Sequence, residues 1–206
     1  SGKKFLRRWG KSMFRFEKDM IPVLIEKLSM LYHTEYFLSE FNSGNGVADL
    51  VFTTEMTNES LMLNDYGMMS LFTSSFLGQK EISKKRLYKQ TSDKARLERL
   101  LVYLEAKEYI DCNDENVLFT KQYKPHTKNL ISIEAKLKDW KSGFYQALRY
   151  QFFSHKTFLA YPSEYIHRID LNLLKAHNIG LISVSFDGIN IVINPKEKKP
   201  KDTTSY

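Results

Sequence analysis

Residues 129–140 read NLISIEAKLKDW, and the alternation within this stretch decides the fold. Apolar side chains at every second position from Ile131 to Leu137 predict a strand with one buried face. On the other face Glu134 and Lys136 project side by side, since they stand two positions apart. The ordinary interpretation of such a pair is a solvated sheet face, because charged residues are mostly exposed. The rest of the chain must show whether the pair belongs to a surface or to a site.

Composition predicts a soluble globular protein. The 206 residues, 42% of them hydrophobic and 14% aromatic, suffice for one substantial domain or for a core domain carrying a smaller insertion. No apolar run approaches the roughly 18 residues that span a membrane. The single cysteine, Cys112, excludes an intramolecular disulfide framework and a multi-cysteine zinc site. Together with the lack of a signal-like start, it predicts a reducing compartment such as the cytoplasm.

Positive charge is concentrated in three clusters of the chain, whose formal net charge is +7. They are KKFLRRWGKSMFRF at 3–16, KKRLYK at 84–89 and KEKKPK at 196–201. Such patches attract polyanions by releasing condensed counterions, so nucleic acid is the first partner to consider. We expect residues 196–206 to be a disordered basic tail, for which improved solubility is the alternative role.

An α/β core is predicted from residues 1–60 and 124–195. Periodicity predicts a helix over 18–32 and strands over 35–41 and 47–54 around a Gly/Asn turn. The second strand carries Asp49 within VADLVF, where a buried acid is costly without a partner. The later elements are strand 129–137, helix 141–153, strand 156–161, a helix over 172–177 and a closing hairpin of LISVSF and INIVIN. This order predicts a central mixed β-sheet flanked by helices.

Residues 61–123 have a different pattern of predicted elements from the α/β core. MMSLFTSSFL, ISKKRLYKQT and SDKARLERLLVYLEAKEYI predict three helices, the last capped by Ser92 or Asp93. A hairpin around Asn113–Asn116 follows, and three helices before a hairpin are the order of a winged helix. The sequence therefore predicts an inserted winged-helix-like domain, with a plain helical bundle and hairpin as the alternative. Its DNA-binding face would carry Lys84, Lys85, Arg86, Lys89, Lys94 and Arg96.

Asp49 followed by Glu134-Ala135-Lys136 resembles the signature of the PD-(D/E)xK nuclease superfamily. The restriction-endonuclease-like core of that superfamily is helix, three-stranded meander, helix, strand, which is the order predicted here. Gln146 and Tyr150 resemble the Gln-xxx-Tyr on the helix after the lysine strand in part of the superfamily. Glu26 stands on the first helix, where many members have a further acid.

The resemblance implies a metal-dependent DNA endonuclease that hydrolyses phosphodiester bonds. It implies that Asp49, Glu134 and the carbonyl of Ala135 bind Mg²⁺ or Mn²⁺, whose hard-oxygen preference they suit. By the same resemblance, Lys136 would orient or help deprotonate the attacking water. Glu26 would hold a metal-bound water or a second ion, Gln146 would reach the scissile phosphate or the water, and Tyr150 would accompany it. A homodimer is expected if both strands of a duplex are cut.

The sequence departs from the superfamily pattern in two respects. Ala48 replaces the proline of the signature, and 85 positions separate Asp49 from Glu134 where simple members have a short turn. An inserted domain accounts for the interval. If residues 61–123 were instead integral to the fold, Glu55 or Glu59 would compete with Asp49.

Two other classes of function remain open. A non-catalytic winged-helix DNA-binding regulator, or an assembly subunit on a nuclease-like scaffold, would need the basic face but not the acids. A protein-interaction module would depend on the aromatic surface instead, and its DNA binding would not show the steep salt dependence that phosphate contacts impose.

Overall fold

The computed structural model describes residues 14–44, 46–57, 79–121 and 126–202. A mixed six-stranded sheet forms its centre, as the sequence predicts. In order across the sheet, with strands numbered along the chain, these are β1 (Tyr36–Asn42), β2 (Val47–Thr53), β6 (Ile131–Ala135), β7 (Lys156–Pro162), β8 (Gly180–Ser185) and β9 (Gly188–Ile193). Strands β6, β7 and β8 run parallel to one another, and the other neighbours pair antiparallel.

Helices flank the central sheet. The longest is α1 (Met20–Tyr32), preceded by a 3₁₀ turn, Glu17–Asp19. With helices numbered along the chain, α4 (Trp140–Tyr150) joins β6 to β7, and α5 (Leu171–Ala176) precedes β8. The side chains of α1 pack with one set of strand residues, and those of α4 pack with another. The sheet is therefore buried between helices, as the parallel strands at its centre require.

All five residues of β6 are buried, including the two polar ones. Ser132 shares hydrogen bonds with the hydroxyls of Ser154 (2.7 Å) and Thr157 (3.1 Å). Glu134 has a side chain that is only 1% exposed. A solvated sheet face is therefore excluded as the explanation of the alternating charges.

A second, smaller apolar core lies in the described residues 79–121. It is built from β3 (Glu81–Ser83), α2 (Lys84–Gln90), α3 (Lys94–Ala106), β4 (Ile110–Cys112) and β5 (Asn116–Phe119). The three strands pair in the order β3-β5-β4, and leucines of both helices pack over them. Asp93 caps α3 by accepting a hydrogen bond from Arg96 N, as predicted. The helix predicted over MMSLFTSSFL lies outside the described residues.

The chain leaves the core and returns to it at adjacent points. Met56 and Thr127 form an isolated antiparallel bridge, and Thr57 N donates to the His126 carbonyl oxygen at 2.6 Å. Close by, the side-chain oxygen of Asn129 accepts from Thr53 Oγ1 at 2.8 Å. The part of the chain between β2 and β6 thus begins and ends at the same end of these two neighbouring strands.

The charged segment after β9, for which the sequence predicts a disordered tail, makes hydrogen bonds to the fold in its described part. Lys196 exchanges two 2.8 Å hydrogen bonds with the side-chain amide of Asn178. Lys198 N donates to the His155 carbonyl at 3.0 Å, and Asp202 N donates to the Phe152 carbonyl at 2.9 Å. Up to Asp202 the segment is attached to the fold by hydrogen bonds of its backbone, which amino-acid composition does not predict.

The helices of the described ranges all fall short of the length and apolar character needed to cross a membrane.

Gly180 allows the close contact between the start of β8 and the core. A Cβ at this position would overlap the Phe158 ring and lie 2.7 Å from Pro195 Cδ. We expect Gly180→Ala to lower the free energy of unfolding by about 1–3 kcal/mol, since overpacked cores relax at that cost. Urea denaturation followed by circular dichroism measures this. Gly188→Ala is the control, because a Cβ there meets nothing within 4 Å; equal losses in both variants would contradict the explanation.

Candidate active site

Glu134 and Lys136 form a nearly buried ion pair at the end of β6. Lys136 Nζ lies 2.8 Å from Glu134 Oε1, and the two side chains are 15% and 1% exposed. The second carboxylate oxygen, Oε2, lies 2.6 Å from the hydroxyl of Tyr150 on α4. Both oxygens of Glu134 therefore have a hydrogen-bond donor, which offsets the cost of burying the charge.

Tyr150 joins three parts of the fold. Its side chain is fully buried, and its hydroxyl lies within hydrogen-bonding distance of the Val47 carbonyl oxygen as well as of Glu134. A hydroxyl has one proton, so it donates to one of these acceptors at a time. Tyr150 thus fixes the carboxylate relative to the start of β2.

Asp49 reaches the same end of the sheet despite the long interval in sequence. Its Oδ2 accepts a hydrogen bond from Ala135 N at 2.8 Å. The last ladder pair between β2 and β6 is Leu50–Ile133, so Asp49 and Glu134 stand one step beyond it, where the strands part. The carboxylate of Asp49 therefore accepts the hydrogen bond of Ala135 N, which the backbone of β2 would accept if the ladder were longer.

The strand pairing on the other side of Asp49 is also interrupted. The β1–β2 ladder skips Glu40 and Asp49, and Glu40 has a left-handed backbone with φ 53°. Burial raises the pKa of Asp49, and the charges of Glu17 and Glu40 raise it further, whereas Ala135 N–H and Lys136 oppose them. The negative charges of Glu17 and Glu40 therefore act on the carboxyl group of Asp49.

Burial also raises the pKa of Glu134. The hydrogen bonds from Lys136 and Tyr150 act in the opposite direction, while the nearby charge of Asp49 adds to the rise. Two partly desolvated carboxyl groups that repel each other would both be stabilised by a cation.

Lys136 keeps its proton in this setting. Burial alone would lower the pKa of its ammonium group, but the hydrogen bond and charge of Glu134 outweigh it, and Glu17 and Asp49 add to the rise. Burial, then the adjacent Glu134, raise the pKa of Tyr150 well above its ordinary value. The site therefore holds two hydrogen-bond donors that keep their protons, beside two carboxyl groups.

Glu17 belongs to the site, although sequence reasoning missed it. From the 3₁₀ turn before α1, its Oε2 lies 3.5 Å from Lys136 Nζ and its Oε1 accepts from Leu137 N at 3.2 Å. Phe14 anchors this segment, since it is 2% exposed and its ring lies 4.6 Å from that of Phe186. The available signal was Phe14 within a basic run, three positions before an acid at the start of the predicted helix.

Gly143 lets α4 approach the lysine. A Cβ at this position would lie 2.6 Å from Lys136 Cγ and 2.7 Å from Leu159 Cδ1. The backbone of α4 therefore forms a wall along the lysine side chain and limits its rotamers.

Two predicted residues lie beside the site rather than in it. Glu26 is exposed, pairs with Lys27 at 2.7 Å, and borders a cleft of about 620 Å³ between α1 and the first two strands, which Asp49 also lines. Gln146 stands one turn before Tyr150 and lies 3.5 Å from the hydroxyl of Ser142. Among the hydrogen bonds of the described residues, neither Glu26 nor Gln146 contacts Glu134 or Lys136.

The competing acids do not approach the pair. Glu55 lies past the opposite end of β2 and forms an ion pair with Lys128 at 2.9 Å. Glu59 lies outside the described residues. Among Asp49, Glu55 and Glu59, Asp49 is therefore the one that the structure places against the Glu134–Lys136 strand.

The predicted DNA-binding residues lie on two helices of the smaller core. Lys84, Lys85, Arg86 and Lys89 belong to α2, and Lys94 and Arg96 belong to α3. Lys84 and Arg96 are half-buried and the other four are exposed, so they give this part of the molecule a positive surface.

No group of three or more His, Cys, Asp or Glu side chains within residues 14–44, 46–57, 79–121 and 126–202 is arranged as a ready metal cluster. Comparison of the chain with protein-family models, with curated proteins and with solved structures gives no match. Function is therefore inferred from the geometry and chemistry of the site itself.

Glu134 should make stability depend on pH. Because burial raises its pKa above 4.5, the folded protein binds this proton more tightly than the unfolded chain does. The resulting stabilisation is complete below about pH 4.5 and is lost as pH rises through the folded-state pKa. Glu134→Gln removes this titration, so the stability of the wild type relative to the variant should fall as pH rises above 4.5.

Urea unfolding at a series of pH values from 4 to 8 measures this difference. Exposed Glu164→Gln is the matched control and should keep the wild-type profile. Parallel profiles for the wild type and Glu134→Gln would contradict the prediction.

Proposed function

We propose that this protein is a divalent-metal-dependent DNA endonuclease with a PD-(D/E)xK-like core. The observation that carries the proposal is the 2.8 Å hydrogen bond from Ala135 N to Asp49 Oδ2, which unites the distant acid with the Glu134–Lys136 strand. The element order α1, β1, β2, β6, α4, β7 supports it further, since the superfamily core has that order.

The donor set fits Mg²⁺ or Mn²⁺. Mg²⁺ in enzymes is commonly bound by one or two carboxylates with water and substrate phosphates, so it does not require a cluster of three acids. Asp49 and Glu134 would supply the carboxylates, and the Ala135 carbonyl would supply a further hard oxygen. The raised pKa of both acids is consistent with a site that a cation completes. When bound, the metal would neutralise phosphate charge and promote formation of hydroxide.

The protein side chains would then divide the remaining work. Lys136 is held as an ammonium group by Glu134 and Glu17, which suits it to orient water and to stabilise charge on the transition-state phosphate. It is less suited to deprotonate water, since a base must first lose its own proton. Tyr150 would hold the Glu134 carboxylate in place.

The two flanking residues keep lesser roles in the proposal. Gln146, one helical turn from Tyr150, would contact the scissile phosphate or the attacking water. Glu26 would hold a water in the cleft that Asp49 lines. Two copies of the chain would be needed if both strands of a duplex are cut at one position.

We further propose that the smaller core is a winged-helix-like DNA-binding domain inserted into the nuclease. The helices α2 and α3, followed by the β4–β5 hairpin, support this reading, as does the basic surface of the helices. In this arrangement α3 would approach a groove and the hairpin would contact the backbone.

A non-catalytic DNA-binding regulator or assembly subunit is the second candidate. The observation that favours it is the pairing of Glu134 with Lys136 and, when its hydroxyl donates there, with Tyr150, since a carboxylate paired in this way is also stable without metal. Calorimetric titration with Mn²⁺ separates the two candidates: a nuclease site should bind the ion, and a structural ion pair should not.

Removing either member of the pair should abolish cleavage. We expect Lys136→Ala and Glu134→Ala to reduce Mg²⁺- or Mn²⁺-dependent DNA cleavage by at least about 100-fold, the scale of losing transition-state charge stabilisation. The assay should include duplex, branched and single-stranded DNA, with circular dichroism as a check on folding. Exposed Lys138→Ala is the matched control on the same segment. Undiminished cleavage by both variants would overturn the nuclease assignment.

The basic helices should contribute affinity that depends on salt. Lys85→Ala/Lys89→Ala should weaken duplex binding and lower the slope of log affinity against log salt by about 2, since each lost phosphate contact removes about 0.9. Fluorescence anisotropy in EDTA measures both quantities. Lys175→Ala/Lys196→Ala carries the same charge change on other exposed lysines; an equal effect would point to net charge instead of a binding face.

A further inference from the structure

A second concave site lies at the opposite end of the parallel strands from the candidate active site. A cavity of about 520 Å³ opens between the carboxyl end of α4, the start of β7 and the basic segment after β9. Residue Ile131 of β6 pairs in register with Lys156 of β7, and Ala135 pairs with Ala160. Ser154 and His155 of the cavity therefore stand near the first of these pairs, whereas Lys136 follows the second.

The cavity wall is strongly cationic. Arg149, Lys198, Lys199 and Lys201 line it, and no acidic residue belongs to its described lining. Glu197 and Asp202 stand beside the lining in the same segment, and the charge of Glu197 acts on His155. Together with the partial negative charge of about one half at the carboxyl end of α4, they offset only part of the four positive charges. The remaining positive charge would attract an anionic ligand.

The backbone that carries the lysines is held in place before any ligand arrives. Asn178 holds Lys196 by two hydrogen bonds, and the backbone of Lys198 donates to His155. The Asp202 backbone then donates to Phe152, so both ends of the lysine-bearing stretch are attached to the fold. A preorganised wall loses less entropy on binding than a solvated basic tail does.

The remaining lining distinguishes one kind of anion. The Phe152 ring is 41% exposed and borders the cavity, which offers a flat apolar surface beside the cations. Ser154, Thr157 and His155 complete the lining. The hydroxyls of Ser154 and Thr157 bond to each other inside the fold, and His155 Nδ1 accepts from Leu130 N, so the cations remain the anchoring groups. An aromatic platform next to a positive groove is the combination with which proteins hold single-stranded nucleic acid, whereas an acidic peptide has no base to stack on the ring.

We propose that this cavity binds one nucleotide of a single DNA strand, with the phosphate on the lysines and Arg149 and the base on Phe152. The volume is within the range of about 300–1,000 Å³ that small-ligand pockets occupy, which suits one nucleotide. A duplex keeps its bases stacked inside and would meet the cavity with backbone alone. The inference rests on the proposed function, because it assigns to the nuclease a second site for a strand at a distance from the cutting site.

The test is strand binding measured apart from cleavage. Fluorescence anisotropy of a labelled eight-nucleotide DNA strand, and of the matching duplex, is measured in EDTA at several salt concentrations. We expect Lys198→Ala/Lys201→Ala to weaken strand binding at least tenfold and to lower its salt slope by about 1.4, at about 0.7 for each lost contact. Duplex binding should change less than twofold. Phe152→Ala should weaken strand binding without changing the salt slope, because it removes stacking and not charge.

The charge-matched control is Lys175→Ala/Lys196→Ala, whose exposed side chains lie outside the cavity lining. Equal losses in this control, or equal losses for strand and duplex, would overturn the proposal. Binding of a glutamate peptide of equal charge that competes as well as the strand would overturn it too. Cleavage by the wild type is read separately. A wild-type protein that never cuts DNA, but whose strand binding falls on cavity substitution, would refute the nuclease and keep the cavity assignment.

Discussion

The burial of one carboxylate organises this molecule. Glu134 stands in the central strand of the sheet with almost no exposure, and an unpaired charge there would cost several kcal/mol. The lysine two positions later and a tyrosine from the following helix each supply one donor to it. That requirement ties β6 to α4 and, through the same tyrosine, to the start of β2. The contacts that allow β6 to bury this charge are thus the same contacts that bring Glu134, Lys136 and Tyr150 together.

Several acidic side chains lie close together around Glu134, and their burial and charges set the electrostatics of the site. Burial raises the pKa of both Asp49 and Glu134; the charges of Glu17 and Glu40 raise that of Asp49 further, and the charge of Asp49 raises that of Glu134 further. Lys136 neutralises only part of this negative charge. The site is therefore paired yet still has more acidic than basic side chains.

The sequence predicted the sheet and its main helices because period-2 and period-3.6 patterns report which faces are apolar. It could not show that the polar face of β6 is buried as well, since alternation distinguishes the two faces without giving the exposure of either. Asp49 was identifiable as an acid within an apolar strand, and Tyr150 through the resemblance of Gln146 and Tyr150 to the Gln-xxx-Tyr of the superfamily. Glu17 was not, because its role comes from a turn anchored by Phe14, and the held segment after β9 depends on backbone hydrogen bonds that composition does not record.

The adjacent exit and return of the chain bear on the order in which the protein folds. The side chains of Thr53 and Asn129 meet across 76 positions, so pairing of β2 with β6 closes a long loop. Loop-closure entropy grows only slowly with length, yet contacts between distant segments slow folding. The interval has an apolar cluster of its own, and collapse of that cluster before the sheet forms would shorten the effective loop. Synthesis order adds to this, because β6 emerges after the interval is complete; assembly of the Asp49–Glu134 site is therefore a late event in the life of each chain.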